Sequence, residues 1–414
     1  QDLLSFDMGG TTAKACLILD GEPLIAPEFE VDRIYRFQKG SGLPVKVPVI
    51  EMIEIGAGGG SLVSLDAMGR LQVGPASAGA VPGPVAYGRG GTAPTVTDAD
   101  LVLGYLDAQF FLGGTMALDT AAASEAIKSV VADPLGLETL EAAFGIHRLV
   151  NENMASAARI HAVERGTEAD RLPLFAFGGA GPVHAYGVAK ILGSPQVVYP
   201  RGAGVMSAAG LLSAPLSFDF VRTMPVELEA ADWDAVNAAF SEIEARARTV
   251  LGRSMASGEI NFRRSADVRY RRQGYDLRVP IPAGVLSGES APKIRSAFEA
   301  SYAGIYGQTP DNVELDVMSW RTVASGPPPR LALPTLSAEK RPASEAIKGE
   351  RAIYLPEEGA ARTVPVYDRY RLGAGATFDG PAVVEEREST VVLAGPCAGR
   401  IDKHANLVVD LHGD

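Results

Sequence analysis

Near the amino end, Asp7-Met8-Gly9-Gly10-Thr11-Thr12 sets an acidic residue, two glycines and two hydroxyls within six positions. Glycine lets backbone N–H groups come close to an anion, and Thr11 and Thr12 add hydroxyl donors. Asp7 is placed to hold Mg2+, directly or through water. The chemistry this pattern serves is phosphate binding, although a plain glycine-tipped hairpin uses the same residues. A second corner, Phe177-Gly178-Gly179-Ala180-Gly181-Pro182, falls between an apolar strand and a helix. There a helix N-terminus favours an anion and the glycines admit a base or sugar. Close strand–helix packing is the alternative. A third run, Glu54-Ile55-Gly56-Ala57-Gly58-Gly59-Gly60-Ser61, is either a further anion cradle or a hinge. Glu54 is either a second carboxylate beside Asp7 or a solvated side chain.

His184 lies three residues beyond Gly181, in the first turn of that helix, where an imidazole can serve acid–base chemistry. A packed or capping histidine fits as well. His161 and Glu164 share a helix face without a matching metal-ligand pair, and His147, His404 and His412 form no cluster. Asp98 and Asp100 read chiefly as helix-start residues. Cys16 and Cys397 have no base in their local sequence, and Gly-x-Ser-x-Gly and His-Glu-x-x-His are both missing.

The elements that must carry these residues follow from the apolar spacing. Leu3–Asp7 reads as a buried strand and Ala15–Leu19 as its antiparallel return. Lys46–Ile55 reads as a third strand, and Ser61–Leu65 with Leu71–Val73 as a small hairpin. Gly74–Pro94 is too poor in periodic apolar residues for a regular element. Helices are expected over Asp98–Leu106, capped by Thr97 or Asp98, and over Leu137–Gly166 with a break at Gly145. Strand Leu172–Phe177, helix Pro182–Leu192, strand Gln196–Tyr199 and helix Gly204–Leu212 follow. The order β-β-β, insertion, α-β-α-β-α matches one half of an actin-like, RNase-H-like nucleotide-binding fold. Beyond it, helices at Glu227–Gly252 and Ile294–Tyr306 flank a strand pair at Ala266–Pro280. From about Gly349 the pattern is short strands between Gly and Pro, at Ala352–Tyr354, Arg362–Tyr367, Ala382–Glu386, Thr390–Leu393 and Leu407–Val409. Gly326-Pro327-Pro328-Pro329 and Ser337–Gly349 are the linker candidates. The expected fold class is therefore α/β. It comprises an actin-like (RNase-H-like) nucleotide-binding lobe with an inserted Gly/Pro-rich segment over 1–214, an α+β connecting region over 215–335 and a β-rich module over 336–414.

Composition sets the limits. The 38 basic and 50 acidic residues among 414 leave a net charge of −12, which argues against a nucleic-acid partner. Two cysteines do not make a disulfide framework and point to a reducing cytoplasm. No apolar run approaches the roughly 18 residues of a membrane span, and no signal peptide is read. Glycine, at 46 residues, exceeds its usual share of about 7%, and the excess gathers in the loops just described. The chain enters a strand directly from Gln1, which suggests a fragment or a processed subunit.

Taken in order, these motifs resemble the hydantoinase A/5-oxoprolinase family. They are Phe6 to Thr12, Glu54 to Ser61, Gly74-Pro75-x-Ser77-Ala78-Gly79, Pro82-Gly83-Pro84, Thr95 to Leu101, Phe177 to Ala185 and Gly204-Val205-Met206-Ser207-Ala208. Ala266-Asp267-Val268-Arg269-Tyr270, Gln273 and Gly380-Pro381-Ala382 fit the family's tail, so the resemblance runs through nearly the whole chain. It implies an actin-like ATPase using ATP and Mg2+, with Asp7 and His184 as catalytic residues and Asp7 as the metal ligand. Gly9, Gly10, Thr11, Thr12, Gly58, Gly59, Gly178, Gly179 and Gly181 would form the nucleotide site. The implied reaction is ATP-dependent hydrolysis of a cyclic amide, of hydantoin or 5-oxoproline type, through phosphorylation of the ring carbonyl oxygen. In the related acetone and acetophenone carboxylases an enol phosphate is implied instead. A sugar-kinase-like phosphotransferase and a non-catalytic assembly module remain the other readings. Implied partners are a small cyclic amide or ketone, an N-terminal actin-like lobe with its own Asp-x-Gly-Gly-Thr loop, and a hydantoinase B-type companion subunit. Lys14 stands where the family's hairpin usually continues with an acidic residue, which changes the local charge.

Overall fold

In a computed structural model, Leu4, Phe6 and Met8 project to one side of strand Leu3–Met8 (β1) and are buried. Ala13, Ala15 and Leu17 do the same from its antiparallel partner Ala13–Leu19 (β2). Period-2 alternation thus gives the sheet one apolar face, and each fully buried large side chain contributes roughly 1.5–3 kcal/mol. The structure describes residues 2–26, 29–31, 41–45, 47–254, 258–310, 313–329 and 342–411.

Ile53–Ile55 (β3) pairs antiparallel with β2, Ala13 opposite Ile55. The third strand is therefore shorter than its expected 46–55 span: Val49–Ile50 pairs elsewhere, with Ile25–Ala26, and Lys46 lies outside the described residues. The hairpin of Ser61–Leu65 forms, but its second strand, Leu71–Ser77, runs beyond the expected Val73 into the stretch read as irregular, Ser77 pairing with Ser61. Helix Val96–Val102 (α1) begins earlier than expected. Its cap is Thr95, whose hydroxyl accepts from Asp98 N while the Asp98 carboxylate accepts from Thr95 N at 2.8 Å. That reciprocal box uses Asp98 as the third helical residue.

Helix Thr139–Val163 (α2) runs unbroken through Gly145. One glycine costs about 1 kcal/mol, and burial of Ile146, Val150 and Met154 on the same helix outweighs it. Strand Leu174–Phe177 (β4) lies parallel to β1, Asp7 opposite Phe177. Helix Gly181–Leu192 (α3) leads to strand Gln196–Tyr199 (β5), parallel to β4. Helices α2 and α3 pack on the apolar face of this sheet.

The chain divides into two compact units, Gln1–Ala209 with Leu333–Asp414, and Gly210–Ala332. This corrects the expected separate module over 336–414. Leu407–Asp410 pairs antiparallel with β5, Tyr199 opposite Leu407, and Ala398–Ile401 and Thr377–Asp379 extend the same sheet. Leu407, Val408 and Val409 are all buried, and a strand apolar on both faces needs a place inside a sheet. Ile347–Leu355, Ala360–Asp368, Ala382–Glu385 and Thr390–Leu393 make a second sheet of that unit.

The other unit is a four-stranded sheet of Ser217–Glu227, Leu315–Ser325, Asn261–Tyr270 and Leu277–Pro280 in that order. Helices Trp233–Ser254 and Ser290–Tyr306 bury Phe240 and Phe298 in a core with Val268, Val317 and Trp320. Among the described residues, no helix is long and apolar enough to cross a membrane.

Candidate functional site

Because β1 and β4 are adjacent and parallel, the glycine corners after Asp7 and after Phe177 leave the same end of the sheet. Ligand sites of α/β sheets form at such strand ends. Ala180 N donates to Met8 O at 3.0 Å, and Gly178 N to Ala203 O at 2.9 Å. The third glycine run closes on the first: Gly59 N donates to Gly9 O at 3.0 Å and Gly60 N to Gly10 O at 2.6 Å. Thr97 then holds that run through N and Oγ1, both donating to Gly59 O. A Cβ on Gly58 would stand 2.5 Å from Thr11 N, so this crossing requires glycine.

The three runs border a cavity of about 320 Å³ in the first unit, lined among others by Gly10, Thr11, Gly59, Gly60, Gly179 and Ala180. The N–H groups of Gly10, Thr11 and Gly179 meet no acceptor among the described residues. Donors without an acceptor among the described residues, on glycine-lined backbone beside one cavity, suit an anion. Gly9, Thr12, Gly58, Gly178 and Gly181 stand behind this surface and hold the loops together. Asp7 is half-buried at the end of β1, its Oδ2 accepting from Ser207 Oγ at 3.3 Å. Glu54 takes its solvated alternative. Strand β2 separates it from Asp7, and its carboxylate lies 3.7 Å from Lys14 Nζ.

The far wall of the cavity is Glu385 to Thr390. Glu386 is buried, facing Arg369 at 3.4 Å and accepting from Gly202 N and Ala203 N. Burial pushes its carboxyl up, against the pull of Arg369. Burial also lowers Arg369, to about 10.

Beside this cavity lies a cluster that the sequence reading missed. Asp100 Oδ1 accepts from His147 Nδ1 at 2.7 Å, and Asp100 Oδ2 pairs with His184 Nε2 at 3.1 Å. The other nitrogen of His184 lies 2.8 Å from Asn151 Oδ1. All four residues are buried. Asp100 and His147 are thus corrected: neither is a mere helix-start residue or an isolated histidine. Asp98 does stay at the helix start, accepting from Val85 N and Ala86 N as well. His184 is fully buried and lines neither this cavity nor the one beside it. The sequence signal was there in part: His147 and Asn151 are four apart on one face of α2, between Ile146 and Met154. Polar groups so placed need buried partners.

Burial would raise the Asp100 carboxyl, but the charge of His184 and hydrogen bonds from both imidazoles hold it at about 2. Burial, and then the charge of His184, lower His147. The three ligand-type atoms lie within 4.8 Å of one another. The two rings are stacked, 4.4 Å apart with 16° between planes. A carboxylate bridging two imidazoles by hydrogen bonds is the arrangement present. Burial pushes both Cys16 and Cys397 up to about 11, which makes them poor nucleophiles at neutral pH.

The hydantoinase/oxoprolinase family profile matches residues 1–220, and that of the family's C-terminal domain residues 225–410. Caprolactamase subunit alpha of Pseudomonas jessenii is 34% identical over 402 residues, covering 95% of this chain and 56% of that protein. The crystal structure of an ATP-dependent caprolactamase from Pseudomonas jessenii superposes with a TM-score of 0.81 at 30% identity, over 100% of this chain and 59% of the other. The gamma subunit of acetophenone carboxylase from Aromatoleum aromaticum is 33% identical, over 99% of this chain and 56% of that one. A nucleotide-free acetone carboxylase structure gives a TM-score of 0.83 at 27% identity, over 99% of this chain and 58% of the other. The chain spans little more than half the length of these relatives. It belongs to the hydantoinase/oxoprolinase family and shares the mixed α/β fold of those two structures.

Proposed function

We propose that this hydantoinase/oxoprolinase-family chain forms the phosphate-binding wall of an ATP-dependent enzyme that activates the carbonyl of a cyclic amide. The observation that carries the reading is that Gly10, Thr11 and Gly179 line one cavity and that their N–H groups meet no acceptor among the described residues. The strand order β3-β2-β1-β4-β5, with β1, β4 and β5 parallel, supports an actin-like lobe.

ATP, when bound, supplies a phosphoryl group for the ring carbonyl oxygen, leaving the ring carbon electrophilic enough for water. Gly10, Thr11 and Gly179 donate N–H to the phosphate oxygens, and Gly59 lets the third loop approach without a side chain. Charge is thereby offset by fixed dipoles that need no rearrangement. Asp7 fits a hydrated Mg2+: it is a half-buried carboxylate at the end of β1 whose one partner among the described residues is the Ser207 hydroxyl. His184 acts through Asp100, as a positioning residue. The matching half of the nucleotide cleft belongs to an N-terminal lobe, and a hydantoinase B-type companion completes the active enzyme. The names of relatives as alpha and gamma subunits support that assembly.

Carboxylation of a ketone is the second reading, favoured by the likeness to the acetophenone and acetone carboxylases. ADP release by the complete enzyme separates the two. Release that depends on a lactam and yields the ring-opened amino acid supports hydrolysis, whereas release that depends on a ketone and bicarbonate supports carboxylation. No nucleotide-dependent signal with either would remove the ATP reading.

A further inference from the structure

A second cavity of about 330 Å³ opens beside the Asp100 cluster in the same unit. Its body is apolar, with Tyr105, Phe144, Val183, Tyr186, Val392 and Ala394 on its walls. Four charged residues line it too, but they pair across short distances: Lys190 with Glu357 at 3.8 Å and Arg148 with Glu152 at 3.9 Å. The cavity therefore offers no net charge, which disfavours a phosphate or carboxylate and favours a neutral guest.

His147 and Asn151 also line it, one turn apart on α2. Nδ1 of His147 is committed to the Asp100 carboxylate, so the ring proton sits there and Nε2 is left as an acceptor. Asn151 Oδ1 is taken by His184, so its NH2 remains as a donor. Neither atom has a partner among the described residues. Asn151 Nδ2 rests over Gly187, where a Cβ would come within 2.5 Å of it, and Gly187 lines the same cavity. An acceptor and a donor on residues one helical turn apart, both lining an apolar slot, suit a cis amide, which presents N–H and C=O along one edge.

We propose that this cavity is a lactam-binding site, in which the ring N–H donates to His147 Nε2 and the ring carbonyl accepts from Asn151 Nδ2. The choice of a cyclic amide rests on the function proposed above; the donor–acceptor pair and the neutral rim rest on the geometry alone. The cavity volume suits a six- or seven-membered ring lying against Phe144 and Tyr186. Asp100 lines the phosphate cavity while holding His147 in the second one, so one carboxylate connects the two sites.

Calorimetric titration of the intact enzyme with δ-valerolactam and with N-methyl-2-piperidone tests this. The N-methyl compound keeps the ring and carbonyl but lacks the donor. Wild type should bind the N–H lactam at least tenfold more tightly, and His147→Leu should bring the two affinities together. Equal affinities in wild type, no binding of either compound at millimolar concentration, or a preference that survives in His147→Leu would each overturn the site. Should that variant fail to fold, the ¹⁵N resonance of His147 Nε2 in wild type decides. It should move on adding valerolactam and stay in place with the N-methyl compound, and any other pattern counts against the proposal. ATP titrated into the same samples keeps the two ideas apart. Lactam binding without ATP binding strikes the nucleotide reading, and ATP binding without lactam selectivity strikes this one.

Discussion

Gly178 stands directly against Asp7. At Gly178, where φ is +90°, a Cβ would lie 2.5 Å from Asp7 Oδ1 and 2.3 Å from the Met8 carbonyl oxygen. The second glycine corner is thereby seated on the first, and both backbone conformation and space demand glycine there. Gly178→Ala is expected to lower stability by about 3 kcal/mol and to weaken ATP binding by pushing the corners apart. Urea unfolding checks the first effect, and a loss under about 0.5 kcal/mol would mean the corners are not packed as described.

Gly10 is the opposite case. A Cβ there meets nothing within 4 Å, and the residue lines the first cavity. Gly10→Val should therefore leave unfolding nearly unchanged while removing ATP affinity by at least about tenfold, the equivalent of 1.4 kcal/mol. Titration calorimetry with ATP in the complete enzyme is the measurement. Undiminished affinity would take this loop out of the nucleotide site.

What the sequence disclosed, and what it withheld, follow from the range of the interactions. Asp7 to Thr12 and Phe177 to Pro182 were legible because local residue type alone marks a glycine corner between regular elements. Strands β1, β2, β4 and β5 were legible because alternation or unbroken apolar runs are local patterns. Asp100, His147 and His184 are far apart in sequence, and only the packing of α1, α2 and α3 brings them together. Their meeting depends on which helix faces turn inward, which apolar spacing leaves open to within a turn. The C-terminal strands failed differently. Leu407–Asp410 announces a buried strand but carries nothing to say that its partner is Tyr199, some two hundred residues earlier.

The Asp100 cluster should leave a signature in the pH dependence of stability. His147 has an ordinary value of 6.5 when unfolded and a lower one when folded. Between those values the unfolded chain holds a proton that the folded one does not. Stability therefore rises with pH across that window, is complete above 6.5 and is lost as pH falls through it. Asp100, held at about 2 against 3.8, adds a second loss only in stronger acid. The melting temperature should drop between pH 7 and pH 5 in wild type and drop less in His147→Gln, which can still donate to Asp100. Parallel curves for the two proteins would place the dependence elsewhere.

Arg369 and Glu386 fasten the far wall of the first cavity. Their side chains are 1% and 3% exposed, and Arg369 also donates to the carbonyls of Tyr199 and Ala405. Glu386 accepts from Gly202 N, Ala203 N and Ser389 Oγ, so the pair ties the end of β5 to the Glu385–Thr390 wall. A buried pair of this kind adds little net stability over an apolar pair, but removing one partner leaves the other charge unpaired. Arg369→Met should cost about 3–5 kcal/mol, and Glu386→Gln less, since an amide oxygen still accepts from the two N–H groups. The double variant Arg369→Met/Glu386→Gln should be more stable than Arg369→Met alone, because no buried carboxylate is left without its cation. Urea unfolding of the four proteins gives the coupling directly. Strict additivity within about 0.5 kcal/mol would show that the two residues act separately, and the wall would then owe its position to the backbone hydrogen bonds alone.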